Sequence, residues 1–310
     1  MQEWLVIVNP NAGRRKAEKD WKQISYLLVK NDIPFKSVFT EHRDHAVKLA
    51  KKFIEAGFKK IIVVGGDGTF SETVNGVFQQ KRYLPTEISL GMIPVGTGND
   101  WARMFHIPFQ YKPAIKIIRN EMMFIQDVGK VTYMNSDHPV ERYFVNMTGM
   151  GYDALVAEKT NKQKERGKGG PLSYMYNIFS SLFSFKNIRY EITIDDKKIK
   201  GDVFSMNIGI CKYNGGGMMQ LPFADPADGL LDVTVINKVG RFTIIRNVKN
   251  LYDGSFVKIP QVQTFQGKTV HVESARKMYL EADGESLGHS PFTFEILPAS
   301  LKVIVGGLPG

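Results

Sequence analysis

The chain has 310 residues, 43% of them hydrophobic, which is enough for about two domains with a core each. Its 41 Lys and Arg exceed its 31 Asp and Glu by 10, a balance that favours anionic partners such as nucleotide phosphates or acidic lipid without choosing among them. The single cysteine, Cys211, excludes an internal disulfide framework, and no run reaches the ~18 apolar residues a spanning helix needs.

The opening MQEWLVIVNP lacks a basic n-region, so it reads as a strand rather than a signal peptide. With the lone cysteine, that points to a cytoplasmic protein, with peripheral contact at a membrane left open. Trp4 to Val8 is a first strand, followed by a basic helical stretch to about Leu28 and a second strand from Phe35 to Phe39. Ala46, Leu49, Ala50, Phe53 and Ile54 share one face of a helix that stops at Gly57. Ile61 to Val64 is a third strand, Phe70, Val74, Val77 and Phe78 form a helical stripe, and Ile88 to Val95 is a fourth strand. This alternation predicts an α/β domain with a parallel sheet, helices on both faces and ligand loops at the strand C-termini.

After about Phe124 the segments YEITID, DVFSMNIGI, LLDVTVI, TVHVES, MYLEAD and FTFEIL are short and alternating, which predicts an antiparallel all-β domain, sandwich or barrel-like. One helical segment is expected near residues 171 to 185. The predicted domains are residues 1–125 and 126–300, with 301–310 returning to the first; the strand Leu301 to Val305 fits either.

VVGGDGTFSETVNG, residues 63 to 76, ends a buried strand, turns on glycines and opens a helix. Gly65, Gly66 and Gly68 lack a Cβ and let backbone N–H groups approach a ligand, and Thr69 with Glu72 fits a capping box starting the helix at Thr69. A helix N-terminus beside bare glycine amides suits phosphate. Asp67 would repel phosphate unless it touches a metal or a hydroxyl that must lose its proton. A plain strand–helix turn is the alternative for this stretch alone. Residues 90 to 105, LGMIPVGTGNDWARMF, repeat the pattern with Gly96, Thr97 and Gly98, and Asn99 or Asp100 can cap the helix. The first strand ends in Asn9, Pro10, Asn11, Ala12 and Gly13, and Thr40 ends the second. Three glycine-bearing strand ends on one sheet edge predict a nucleotide site.

GGDGTFSE, PVGTGND, NPNAG, DGLLDV and ADGE, in this arrangement, resemble the diacylglycerol kinase-like lipid kinases, above all their compact bacterial members, which are similar to sphingosine kinase catalytic cores. GGDGT is shared with NAD kinases, whereas PVGTGND is more specific. The resemblance covers essentially the whole chain. It implies an NAD kinase/diacylglycerol kinase-like α/β domain, a C-terminal β-sandwich domain, and an active site in the cleft between them. Carried over, Asn9, Pro10, Asn11, Ala12, Gly13, Thr40, Gly65, Gly66, Asp67, Gly68, Thr69, Phe70, Ser71, Glu72 and Thr97 are ATP-binding positions. Ala12 stands where relatives usually have serine, so a hydroxyl contact to phosphate is lost.

FADPADGLLDVTVI, residues 223 to 236, holds Asp225, Asp228 and Asp232; Asp225 and Asp228 lie three apart around a turn, which reads as a solvated β-turn or as a pair that suits Mg2+. The resemblance implies Mg2+ on Asp225, Asp228 and the Leu230 carbonyl. YLEADGESLG, residues 279 to 288, holds Glu281, Asp283 and Glu285 around Gly284, an Asp-Gly hairpin signal in its own right. In the family this segment supplies the proton acceptor, which the resemblance puts at Glu285, with Asp283 and Asp67 orienting the hydroxyl and Mg2+. The residues alone do not rank the three carboxylates.

Lys159, Lys162, Lys164, Arg166 and Lys168 form a basic stretch before a helix whose apolar face is Leu172, Met175, Tyr176, Phe179, Leu182 and Phe183. Ser173, Asn177, Ser180, Ser181 and Ser184 are expected on the opposite, wet face. The stretch reads as a surface loop or as a contact for anionic headgroups. His42 and His45, at i and i+3 on a predicted helix, read as surface residues, and Cys211 as filler. No aromatic and basic interleaving predicts nucleic acid. The expected activity is ATP- and Mg2+-dependent phosphorylation of diacylglycerol or a related lipid presented at a membrane, a step of phospholipid metabolism. An NAD kinase-like enzyme and a silent nucleotide- or lipid-binding regulator are the competing readings; the oligomeric state is not encoded in any motif.

Overall fold

In a computed structural model, residues 3–165, 176–177, 180–182 and 185–309 are described. The chain divides into two compact units, Met1–Val128 with Pro298–Gly310, and Gly129–Leu297.

The first unit alternates β1 (Trp4–Val8), α1 (Ala12–Lys30), β2 (Phe35–Phe39), α2 (His45–Glu55), β3 (Lys60–Gly65), α3 (Asp67–Gln79), β4 (Ser89–Pro94), α4 (Asp100–Met104) and α5 (Tyr111–Asn120). β1 runs parallel to β2 and β3, and β3 runs parallel to β4. Lys302 and Val303, near the end of the chain, extend this sheet beside β4, again in parallel. β1 and β4 are buried at every position, as strands covered on both faces must be. Val6, Val8, Ile62, Val64 and Ile93 pack with Ile24 and Leu28 of α1 and Ile115 and Ile118 of α5. The alternate positions Leu5, Ile7, Ile61 and Val63 are fully buried as well, and α2 and α3 contact β1 and β3. Gly76 lets α2 and α3 touch: a Cβ there would lie 2.5 Å from the Val47 carbonyl oxygen.

The second unit runs from within β5 (Met123–Asn135) through β6 (His138–Phe144), β7 (Met147–Gly151), α6 (Tyr152–Glu165), β8 (Ile188–Ile194), β9 (Lys197–Gly209), β10 (Tyr213–Asn214) and β11 (Met218–Met219). It continues with β12 (Leu231–Asn237), α7 (Arg241–Asn247), β13 (Val262–Gly267), β14 (Thr269–Ser274), β15 (Tyr279–Ala282) and β16 (Glu285–Ile304). Its pairings are antiparallel. β9 pairs with β8 along its first half and with β7 along its second. β14 joins β8 to β16, and β15 joins β16 to β7, which closes a circuit of six strands. Long strands that change partner along their length are how such units turn a corner. The strands alternate as expected; in β8 every second residue, from Ile188 to Ile194, is buried.

Two expectations fail here. α6 is absent from the sequence reading, because YDALVAEKTNKQKE has no clean apolar stripe. The segment near residue 180 departs in part from the expected split: Leu182, assigned to the apolar face, is buried as expected, but three other positions are not as assigned. Tyr176, assigned to the apolar face, is 68% exposed, whereas Asn177 and Ser181, assigned to the wet face, are buried. Asn177 donates to Thr160 Oγ1 at 3.1 Å and to Gln163 Oε1 at 3.0 Å, so a polar lock to α6 replaces water. Pro171, Leu172, Ser173, Met175, Phe179, Phe183 and Ser184 lie outside the described residues.

Candidate active site

In the first unit the strand ends leave the sheet at one level. Thr40 N donates to Val8 O, Asn9 N to Val64 O and Val95 N to Gly65 O, at 2.8, 3.0 and 2.8 Å. Side chains then tie the loops together. Asn9 Nδ2 donates to Thr69 Oγ1 at 2.9 Å, and Asn9 Oδ1 accepts the Asn11 N–H at 3.0 Å. Gly13, with φ +59°, lies against the end of β4, where a Cβ would sit 2.2 Å from Val95 O. A Cβ on Gly66 would come 2.9 Å from Gly96 Cα, and one on Gly96 would come 2.6 Å from Gly66 Cα. The loops after β3 and β4 therefore touch backbone to backbone, and these two glycines are required by each other. Ala12 opens α1 beside Gly13, Pro10 carries no N–H to donate, Thr97 is exposed at the tip of its loop, and Thr40 is buried.

Asp67 has a structural occupation. Its Oδ1 accepts the Trp101 N–H at 3.0 Å, capping α4 from the neighbouring loop. Burial pushes its carboxyl up, opposed by the backbone N–H groups of Trp101, Asp100, Asp67 and Asn99. A Cβ on Gly98 would lie 3.0 Å from Asp100 Oδ2 and 3.2 Å from Asp67 Oδ2, so both carboxylates converge on the bare face of Gly98. Asn99 Oδ1, buried, has no hydrogen-bond partner among the described residues and lies where a Gly96 Cβ would be 2.6 Å away. An orphaned acceptor next to two glycines fits a ligand that brings a donor, such as a ribose hydroxyl or an adenine amine.

The expected capping box is replaced by another arrangement. α3 begins at Asp67 after Gly66, not at Thr69. Thr69 receives Asn9, and Glu72 reaches away from its own helix to accept the Asp44 N–H at 2.9 Å and the Ala46 N–H at 3.1 Å, satisfying the start of α2. Phe70 is fully buried and stacks on Trp101 with ring centroids 4.0 Å apart, and Ser71 is buried. Three of the carried-over positions, Phe70, Ser71 and Glu72, thus have their side chains engaged inside the unit. The N–H groups of Asp67, Gly68 and Thr69 occupy the first turn of α3, where no carbonyl of the helix reaches them.

In the second unit β15 and β16 are joined by Asp283 and Gly284 at φ +48° and +85°, the two-residue turn that the right-handed strand twist favours. Asp283 Oδ2 accepts the Val145 N–H and Oδ1 the Asn146 N–H, each at 3.0 Å, while its own N–H donates to Met147 O at 3.0 Å. Asp283 clamps the turn to the start of β7. Glu285 follows, its Oε2 accepting Arg142 Nη2 at 2.8 Å from β6, in a pair whose side chains are 13% and 15% exposed. Arg142 carries no signal in the sequence, because its partner is 143 positions away.

Glu281, just before this turn, has no role in the sequence reading, yet it is closely held. Its Oε2 accepts the Gly284 N–H at 2.9 Å and its Oε1 accepts Asn214 Nδ2 at 3.2 Å. Gly149 makes room for it, since a Cβ there would lie 2.8 Å from Oε1. Burial, with the nearby charge of Asp153, pushes the Glu281 carboxyl up to about 8. Asp153, hydrogen-bonded by Ser205 and Gln220, is pushed up to about 6 by burial.

In the acidic loop, Asp225 Oδ1 accepts the Ala227 N–H at 3.0 Å and Asp228 Oδ1 the Leu230 N–H at 2.9 Å. The next carboxylate, Asp232, is pushed up to about 6 by burial first and then by the charges of Asp228 and Asp225, against a hydrogen bond from Gln266 and the charge of Lys212. Asp225 and Asp228 are exposed carboxylates one turn apart, and carboxylate oxygens of that kind suit Mg2+.

Of the basic stretch, Lys162 pairs with Glu158 at 2.6 Å on α6, while Arg166 and Lys168 lie outside the described residues. His42 precedes α2 rather than lying on it and stacks on His45, which accepts the Glu41 N–H at 3.0 Å. Cys211 is fully buried, donates to Val145 O at 3.4 Å, and burial pushes its thiol up, as expected of filler.

Residues 3–131 match the family described as the diacylglycerol kinase catalytic domain, and residues 146–305 match the YegS C-terminal NAD kinase beta sandwich-like domain. The chain is 30% identical over 300 residues to a diacylglycerol kinase of Mycobacterium tuberculosis, covering 96% of this chain and 93% of that one. A crystal structure of a diacylglycerol kinase from Bacillus anthracis aligns over 98% of this chain and 97% of its own with a TM-score of 0.72 at 22% identity. Yeast NADH kinase aligns over 97% and 82% with a TM-score of 0.53 at 10% identity. These two likenesses concern the fold.

Proposed function

The chain belongs to the diacylglycerol kinase-like lipid kinases, and on that premise we propose that it transfers the γ-phosphoryl group of ATP to a hydroxyl of diacylglycerol or a related lipid. One observation carries the nucleotide half of this reading: three glycine-bearing strand ends meet at one edge of the first unit, with the first-turn amides of Asp67, Gly68 and Thr69 opening α3. The loop positions Asn9 to Gly13, Thr40, Gly65 to Thr69 and Thr97 would surround the nucleotide. Phe70, Ser71 and Glu72 would act only by holding the loops.

Glu285 is the proposed proton acceptor. The lipid oxygen bonds to the γ-phosphorus, the bond from that phosphorus to the bridging oxygen breaks, ADP leaves, and the hydroxyl proton passes to Glu285. In a loose phosphoryl transfer the proton moves late, so orientation of the acceptor matters more than base strength. Arg142 fixes that orientation through its 2.8 Å contact. Asp283 anchors the turn that presents Glu285, and Asp67 anchors the glycine loops. Asp283 is therefore a positioning residue in this reading. Mg2+, when bound, supplies positive charge against phosphate oxygens or rigidity to the acidic loop. Asp67 and Asp100 would hold it in the first role; Asp225, Asp228 and the Leu230 carbonyl would hold it in the second.

The test is transfer from γ-labelled ATP with Mg2+ to diacylglycerol, other lipids, NAD and no acceptor. The expected result is label in the organic phase with diacylglycerol, lost in Glu285→Gln while nucleotide binding persists. Label on NAD, or nucleotide binding with transfer to none of them, would refute the reading.

A further inference from the structure

The stretch after β12 presents an unusual surface. Val239 and Ile244 pack inward against the cluster of Tyr152, Val156, Leu182 and Phe204, so α7 is fastened to the second unit from below. Its far end is fastened too. Gly254, at φ +73°, abuts Pro222, where a Cβ would lie 2.8 Å from Pro222 Cβ. Between these anchors the chain turns apolar side chains to solvent. Phe242 is 90% exposed, Tyr252 49% and Ile245 46%. None of the seven residues of α7 is buried. Lys238, Arg241, Arg246 and Lys249 are exposed as well. On α7, Arg241, Phe242, Ile245 and Arg246 follow the i, i+3, i+4 spacing of one helical face, while Lys238 precedes the extended Gly240 and Lys249 and Tyr252 belong to the turn after the helix. Between Lys238 and Lys258 the one acidic residue is Asp253.

A face that mixes bulky apolar tips with basic residues does not match an ordinary solvated helix, where apolar positions turn inward. It matches a segment lying in the interface of a bilayer, with apolar groups among the acyl chains and ammonium or guanidinium groups at lipid phosphates. We propose that this face of α7 and the turn after it is where the protein docks on an anionic lipid surface. Charge complementarity selects that occupant: two basic side chains on α7 and two flanking it, beside exposed apolar tips, meet a negative surface. The inference leans on the lipid kinase reading for its purpose, but its readout is binding to vesicles and does not involve phosphoryl transfer.

The experiment uses the full chain with vesicles of phosphatidylcholine alone or mixed with phosphatidylglycerol. Wild type should sediment with the mixed vesicles and lose binding as salt screens the contact. Replacing Lys238, Arg241, Arg246 and Lys249 by Gln should weaken binding by roughly 1000-fold. Phe242→Ser with Ile245→Ser should weaken it by about tenfold. The Phe242→Trp variant should show a blue-shifted indole emission on the mixed vesicles and not on phosphatidylcholine. Melting temperatures should stay at the wild-type value, because every replaced side chain is exposed, and phosphorylation of a dispersed short-chain diacylglycerol should persist in each variant. Absence of that activity in wild type would overturn the kinase reading and leave docking to be judged on vesicles alone. Wild-type binding by both multiple variants, or an unshifted emission from Phe242→Trp, would overturn the docking proposal. So would self-association in the absence of lipid that Phe242→Ser abolishes, because it would make the face a protein interface.

Discussion

Replacing Glu281 by Gln should change how the stability of the second unit depends on pH. The Glu281 carboxyl is buried, and its pKa is raised from 4.5 to about 8. A raised acid binds its proton in the folded chain at pH values where the unfolded chain has lost it. Unfolding then releases a proton, and stability falls as pH rises from about 4.5 to about 8, levelling off beyond. At 1.36 kcal/mol per unit, the whole window is worth about 5 kcal/mol, and about 3 kcal/mol of it falls between pH 6 and pH 9. Gln cannot ionise, so the difference between variant and wild type should swing by that amount in favour of the variant. Turning one acceptor oxygen into a donor near Gly284 or Asn214 carries a cost that is the same at every pH and drops out of the swing. At roughly 2–4 °C per kcal/mol for a domain of this size, the swing is about 6–12 °C in melting temperature. Thermal unfolding of both proteins from pH 6 to pH 9 measures it. A wild type with flat stability across that range, or two parallel curves, would refute the argument that Glu281 is held protonated by burial.

Gly96→Ala forces a Cβ to 2.6 Å from both Gly66 Cα and Asn99 Oδ1, so calorimetric ATP binding should fall at least tenfold, with a loss of about 1–3 kcal/mol in stability. Arg142→Met leaves the Glu285 carboxylate partly buried without its cation; kcat should fall tenfold or more with ATP affinity unchanged, and Arg142→Lys should restore only part, because the guanidinium contact is lost. Mg2+ without nucleotide should raise the melting temperature of wild type and not of Asp228→Asn, since a cation held by the folded loop stabilises it by mass action and the variant lacks one of its two carboxylates.

The alternation of β1 to β4 with α1 to α3 was legible because strands covered on both faces are continuous apolar runs and glycines mark where they end. Antiparallel strands such as β8 were equally plain from their period of two. Helix α6 was hidden by its mixed composition, and Asn177 and Ser181 were assigned to water because a polar side chain carries no sign of the partner that will bury it. Among the site residues, sequence reasoning found the loops but not what occupies each side chain. Glu72 serves a helix that begins 27 positions earlier, Asp67 caps one that begins 33 positions later, and Arg142 finds Glu285 across 143 positions. Contacts of that range leave no local spacing to read.

The interlocked glycine loops bear on what a sequence signature can certify. Gly66 and Gly96 are fixed by each other, Asp67 by the start of α4, Thr69 by Asn9 and Glu72 by the start of α2. The most recognisable letters of this chain therefore record the joinery of a scaffold. Selection for folding alone would preserve them as a set after catalysis had been lost, and a change at one would demand a matching change at another. The pair Arg142 and Glu285, by contrast, leaves no mark in those letters at all.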